Sequence, residues 1–167
     1  MSDTMRENSP RVAVFDIDGV LADVRHRLHH IDSGRRDWDG FFASASRDPA
    51  LADGCQAAHR AVESGLTLIY LTGRPERCRL DTVQWLSEHG LPEGELIMRR
   101  DSDRRPARVL KVEALRRIAS QAQVAYLVDD DAEVVEAAAD AGFAARLADW
   151  VPRQEPLTQA QETLGRT

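Results

Sequence analysis

Residues 13–23 read Ala-Val-Phe-Asp-Ile-Asp-Gly-Val-Leu-Ala-Asp. The apolar run from Val12 to Phe15 has the length and content of a short buried strand, and it ends in Asp16 and Asp18 with Gly19 behind them. Side chains two apart on a strand point the same way, so both acids leave its carboxyl end together. In an open α/β sheet that end is where ligands bind. Two close carboxylates repel and raise one another's pKa unless a cation lies between them. The pair therefore calls for a divalent metal, and for chemistry in which one carboxylate attacks while the other moves a proton.

Working outward, the next such strand end is Leu66 to Leu71, followed by Thr72-Gly73-Arg74-Pro75. A third is Val124 to Val128, which ends in Asp129-Asp130-Asp131. Between them, Gly54 to Ser64 is alanine-rich and helical, with Gly65 as a C-terminal cap. Pro75 fits the first turn of a helix, whose apolar stripe would be Leu80, Val83 and Leu86 and whose end would be Gly90. Glu95 to Met98 reads as a weak strand. Val109, Val112, Leu115 and Ile118 step by three along a further helix with Lys111 in its first turn, and Glu133 to Ala141 is helical up to Gly142, ahead of a last strand at Phe143 to Leu147.

Strand and helix thus alternate from residue 11 to about 150, which implies an α/β fold with a mostly parallel sheet covered on both faces. The stretch 20–53 breaks the alternation. It is basic and His-rich, then aromatic at Trp38, Phe41 and Phe42, and reads as a small insertion of one or two short helices, with room for a hairpin, after the first strand. Residues 151–167 form a polar tail, expected to be at most a loosely docked helix.

Composition narrows the function. The 167 residues suit one domain with small additions, and 43% apolar content is enough for a core. No apolar run approaches the ~20 residues that span a bilayer, and Met1 to Pro10 lacks the apolar segment of a secretory signal. Two cysteines, Cys55 and Cys78, have no metal-type spacing and read as reduced thiols, so a cytoplasmic location is expected. The net charge of −6 argues against a general nucleic-acid coat protein. Yet residues 25–36 and 99–108 are each about +3, leaving −12 for the rest. Two basic islands on an acidic body suit local attraction of an anion.

Parallel strands would bring Asp16/Asp18, Thr72-Gly73-Arg74 and Asp129/Asp130 to one edge, where Lys111 can join them. Together they read as a phosphoryl-transfer site. Asp16, Asp18, Asp129 and Asp130 would make the site of Mg²⁺, a hard cation that favours oxygen ligands. The Thr72 hydroxyl and nearby backbone N–H groups, at a helix start, would bind phosphate oxygens. Lys111 would neutralise charge, Asp16 would attack phosphorus, and Asp18 would protonate the leaving oxygen and then activate water. Asp131 reads as the cap of the following helix. His26, His29 and His30 are read as substrate-facing or solvated, not as a zinc site, and Trp38, Phe41 and Phe42 as core of the insertion.

The motifs FDIDGV, LTGR, Lys111 before a helix, and YLVDDD stand in the order of the haloacid dehalogenase (HAD) superfamily phosphatases, which the chain resembles from about residue 12 to 150. The resemblance implies a Rossmann-like three-layer fold, an Mg²⁺-dependent hydrolase with Asp16 as nucleophile and Asp18 as general acid/base, and a cap inserted after the first strand. TGRPE, LIMRRDSDRRPARVLK and VDDDAEVVEAAADAGF are similar to the 3′-phosphatase module of phage-type polynucleotide kinase–phosphatases. That likeness implies a site role for Arg74 beside Gly73, and a terminal 3′ phosphate of a nucleic acid or nucleotide as substrate. The alternative substrate is a small phosphorylated metabolite. Ala107 stands where that module has an acidic residue ahead of the lysine, and there is no P-loop glycine pattern. A signalling receiver domain shares the residue types but places its Thr and Lys after a central phospho-acceptor, an order this chain does not follow. A non-catalytic HAD-fold module would not need every one of these groups.

Overall fold

The computed structural model describes residues 9–32 and 34–167. Five strands, β1 (Arg11–Phe15), β2 (Thr67–Pro75), β3 (Gly94–Arg99), β4 (Gln123–Asp129) and β5 (Ala145–Leu147), form one sheet in the order β3-β2-β1-β4-β5. Every pairing within it is parallel. The α/β fold expected from the alternation is the fold observed, with β1 at the centre. The strand order reverses on either side of β1, so its carboxyl end is the topological switch point where ligands bind in such sheets.

Helices α2 (Ala52–Glu63) and α3 (Arg79–Glu88) cover one face of the sheet, and α4 (Ala107–Ala119) and α5 (Ala132–Asp140) the other. The two-residue strand period sorts β1 between them. Ala13 and Phe15 pack with Ala58, Ala61, Leu68 and Trp85, while Val12 and Val14 pack with Leu71, Leu115, Ile118 and Val134. Strands buried on both faces have continuous apolar runs, as the sequence of β1 and β2 shows. No helix among the described residues is long and apolar enough to cross a membrane.

Between β1 and α2 the chain makes two 3₁₀ segments (Arg25–His30 and Ser44–Arg47) and α1 (Trp38–Ala43), with no hairpin among the described residues. This excursion is closed at its base, because Asp23 N donates to Pro49 O and Leu51 N to Leu21 O. Phe41 and Phe42 are buried with Val24, Leu28 and Ile31, as expected for core of the insertion. Leu157 and Ala160 join the same cluster from α6 (Glu155–Thr158) and the π-helical turn after it. The tail is therefore not loosely docked. Gln161, Glu162 and Thr167 are buried polar residues within it.

Three helical expectations need correction. Pro75 is not in a helix: it closes β2, pairing with Arg99 of β3, and α3 begins only at Arg79. The stripe of α3 is not Leu80, Val83 and Leu86, since Leu80 is 84% exposed and Val83 49%. Its buried face is Thr82, Trp85 and Leu86, turned inward by polar contacts described below. In α4, Val109 is also exposed, and Lys111 lies in the second turn, because the helix starts at Ala107.

Candidate active site

Asp16 N donates to Val128 O at 3.0 Å, which ends the β1–β4 ladder and fixes Asp16 at the sheet edge. Ile17 is fully buried in the core, so Asp16 and Asp18 face the other way, into the site. Gly19 turns the chain at φ +79°, and a Cβ there would lie 2.2 Å from Asp130 Oδ2. The glycine thus serves both a left-handed turn and the approach of β4's acids. Asp16, Asp129 and Asp130 come together, with one ligand atom from each within 4.8 Å of the others.

Lys111 is 2% exposed and neutralises part of this group. Its ammonium donates to Asp129 Oδ2 at 2.6 Å and pairs with Asp16 Oδ2 at 3.1 Å. One cation does not balance three carboxylates. Burial pushes Asp16 up to about 7, with Asp129 and Asp18 adding to the rise and Lys111 opposing it. Burial also raises Asp130 well above the ordinary carboxylate range, and the charges of Asp16 and Asp129 raise it further. Burial and the carboxylates on either side act oppositely on Lys111, and the carboxylates prevail, so it stays charged. The three oxygens suit a hard divalent cation such as Mg²⁺, which would cancel this repulsion.

Asp18 is not part of that group and sits in a different field. Its Oδ1 accepts from Arg74 Nη2 at 2.6 Å, Arg74 Nε at 2.9 Å and Arg27 Nη2 at 3.0 Å. Burial pushes its pKa up, but Arg74 and Arg27 together hold it below the usual carboxylate range. Buried Asp48 completes the set: Arg27 Nε and Nη2 and Arg74 Nη2 all donate to its carboxylate. Two helix α3 residues hold this cluster in place, Trp85 Nε1 donating to Asp48 O and Thr82 Oγ1 accepting from Arg74 Nη1. That is why α3 buries Thr82 and Trp85 and leaves Leu80 in solvent.

Of the residues expected at the site, Asp16, Asp18, Thr72, Gly73, Arg74, Lys111, Asp129 and Asp130 all lie at the carboxyl edge of the sheet or directly beside it. Thr72 does not sit at a helix start. It is within β2, fully buried, with Oγ1 accepting from Arg74 N at 3.1 Å. A Cβ on Gly73 would lie 2.0 Å from the Thr167 carbonyl carbon, so the tail packs on the bare backbone there. Asp131 caps α5, its side chain accepting from Glu133 N, as expected. Burial and neighbouring Glu162 push its carboxyl up to about 7.

Sequence reasoning missed Arg27, Asp48 and the tail. Arg27 is fully buried, unlike the solvated basic loop around it, and His26 pairs with Asp48 at 2.7 Å. Thr167 Oγ1 donates to Asp18 Oδ2 at 3.3 Å and Gln161 Nε2 to Asp130 Oδ1 at 3.3 Å. From the second basic island, Arg99 is used internally, donating to Gly73 O and Arg105 O. Arg105 and Arg108 are also occupied, by Asp103 and Glu113 and by Glu133 and Glu162 respectively.

Comparison with solved structures supports the fold. A chain of a Pnkp1/Rnl/Hen1 complex superposes with a TM-score of 0.70 at 23% identity, over 84% of this chain and 46% of that one. This chain thus spans less than half the length of that relative. A class C acid phosphatase from Bacillus anthracis with tungstate bound gives 0.63 at 11% identity, over 94% and 80%. A D,D-heptose 1,7-bisphosphate phosphatase from B. bronchiseptica, complexed with magnesium and phosphate, gives 0.51 at 22% identity, over 83% and 79%. No curated protein sequence matches the chain. Residues 10–145, which carry all eight of the residues expected at the site, match the polynucleotide kinase PNKP phosphatase domain, and the chain belongs to that family of HAD-type phosphatases.

Proposed function

We propose that this phosphatase is an Mg²⁺-dependent phosphomonoesterase that works through an aspartyl-phosphate on Asp16 and removes a terminal 3′ phosphate from a nucleic acid or nucleotide. In this reading residues 11–150 are the phosphatase core, 20–53 its cap and 151–167 a tail packed on both. The observation that carries it is the division of the two motif acids between opposite fields. Asp16 lies in a carboxylate group that needs a cation, and Asp18 lies under two guanidiniums.

The metal, held by Asp16, Asp129 and Asp130, would draw charge from the phosphate and keep Asp16 ionised, while Asp18, whose carboxylate is engaged by Arg74 and Arg27, would stay outside the ligand set. Lys111 holds the Asp16 carboxylate by its Oδ2, leaving the other oxygen to attack phosphorus. The new O–P bond forms as the bond to the leaving oxygen breaks. Asp18 gives that oxygen its proton, then removes one from the water that cleaves the acyl phosphate and so regenerates Asp16. An arriving phosphate shares Arg74, Thr72 and the Gly73 backbone with the resting network. As it draws Arg74 away from Asp18, the Asp18 pKa rises toward the range a proton donor needs.

The test is phosphate release, with and without Mg²⁺, from 3′-phosphorylated oligonucleotides, nucleoside 3′-phosphates and sugar phosphates. Mg²⁺-dependent release that is fastest for 3′-phosphorylated nucleic acid or nucleotide is expected. A sugar phosphate as best substrate would replace the substrate half of the reading. Turnover retained in Asp16→Asn would overturn the nucleophile.

A further inference from the structure

The turn after α6 brings a second set of cations together just outside the network on Asp18. Arg36, Arg104 and Arg166 line a shallow cleft of about 420 Å³ with Trp38 and Leu164. None of the three guanidiniums has a carboxylate partner among the described residues, in contrast to Arg25, Arg27, Arg74, Arg105 and Arg108. Arg104 is bonded only to carbonyl oxygens, those of Asp101 and Asp103. Arg166 lies over the Trp38 ring at 4.7 Å. Burial lowers its pKa and the charges of Arg104 and Arg77 lower it further, with Asp39 alone opposing them. Like charges gathered with no carboxylate paired to them are costly unless an anion joins them.

The cleft is next to the chemistry. Arg166 directly precedes Thr167, whose hydroxyl reaches Asp18, and neighbouring Cα atoms are about 3.8 Å apart. Gly165 lies against the Arg104 backbone, where a Cβ would sit 2.0 Å from the Arg104 carbonyl. Trp38 is stacked on Phe42 on one side and covered by Arg166 on another, so it holds an arginine in place and offers no free platform for a base. The cleft is thus suited to a phosphate and not to a nucleobase.

We propose that Arg36, Arg104 and Arg166 form a second anion site that takes the internucleotide phosphodiester beside the phosphate being removed. This rests on the 3′-phosphatase reading above and specifies its substrate as a strand end. The same chemistry would accept the second monoester of a small bisphosphate, so the test separates the two.

Phosphate release is measured from a nucleoside 3′-phosphate, a nucleoside 3′,5′-bisphosphate and a dinucleotide ending in a 3′ phosphate. The expected result is a kcat/KM about tenfold or more higher for the dinucleotide than for the mononucleotide, falling with added salt. Arg36→Glu and Arg104→Glu should each bring that ratio toward one. A wild-type ratio near one, a ratio the substitutions leave unchanged, or a bisphosphate preferred to the dinucleotide would each overturn the proposal while leaving the phosphatase reading intact. If no 3′ phosphate is hydrolysed, that reading fails and binding decides the site separately. A fluorescent 3′-hydroxyl tetranucleotide should then bind the wild type and bind Arg36→Glu and Arg104→Glu at least about tenfold more weakly; equal binding by all three, or no binding by any, overturns it.

Discussion

Arg27 of the first 3₁₀ segment and Asp18 of the loop after β1, nine residues apart, share a buried ion pair of 3.0 Å. Arg27 also stacks over Phe41 at 4.2 Å and donates to its carbonyl, so the guanidinium is fixed by the insertion it belongs to. The insertion thereby supplies part of the field on the proposed general acid. Arg27→Ala should lower kcat by roughly a hundredfold or more, on the scale of losing one preorganised donor. It should also shift the pH–rate limb assigned to Asp18 to higher pH, because one of the two cations holding that pKa down is gone. A merely structural role would lower activity without moving the limb.

Asp48 is the other end of the same arrangement. Its carboxylate is fully buried and answers both Arg27 and Arg74. Breaking a buried pair from one side leaves uncompensated charge, a loss of about 3–5 kcal/mol. Asp48→Ala should therefore unfold at markedly lower urea than wild type, and Asp48→Asn should recover part of the difference by keeping acceptor geometry. Equal midpoints for all three proteins would show that the cluster contributes nothing to stability.

The candidate site at the sheet edge was legible in the sequence because it is local. A buried strand followed by acids marks Asp16, Asp18 and Asp129 without any tertiary information, and strand–helix alternation carries the parallel sheet. Arg27 and Asp48 were not legible, since their pairing spans 21 residues and depends on how the insertion closes. The same cluster explains the misread face of α3. Leu80 and Val83 have the right spacing for a stripe, yet Thr82 and Trp85 carry hydrogen bonds that only the folded insertion reveals. Pro75 was misplaced because a fixed φ near −65° suits a strand's end as well as a helix's first turn.

Gly54 tests how tightly the insertion's base is packed. It is buried in α2, and a Cβ there would lie 1.8 Å from Val20 O. Alanine normally favours a helix over glycine by up to about 1 kcal/mol. Here the contact is with backbone that cannot swing aside, and overpacking costs typically about 1–3 kcal/mol. Gly54→Ala should lower the thermal midpoint; a rise would mean that the helix stands further from the first turn.

Asp103 gives a pH dependence away from the Asp16, Asp129 and Asp130 cluster. Hydrogen bonds from Arg105 hold its carboxyl at about 2 against the ordinary 3.8, outweighing its partial burial. A folded pKa below the unfolded one means that the unfolded chain binds more protons between the two values. The contribution is present above the unfolded pKa and is lost as pH falls through about 2. Asp103→Asn should be less stable than wild type at pH 7, with the gap in thermal midpoint closing between about pH 4 and pH 2. A gap independent of pH would assign Asp103 a packing role only.

Asp130 separates repulsion from metal binding by sign. Its carboxyl is raised well above the ordinary range by burial and by Asp16 and Asp129 beside it, so in metal-free protein its charge is a strain on the fold. Asp130→Asn keeps the shape and removes that charge, and should raise the thermal midpoint in chelator. With Mg²⁺ the order should reverse. A ligand that binds only the folded state stabilises by RT ln(1 + [L]/Kd), about 2.7 kcal/mol at a hundred times Kd. The wild type should gain such a shift and the variant little of it. The two midpoint curves should therefore cross as Mg²⁺ is raised. If Asp130→Asn is destabilised in chelator and shifts as far as wild type in Mg²⁺, the carboxylate neither strains the free protein nor binds the ion, and the metal must be held by Asp16 and Asp129 without it.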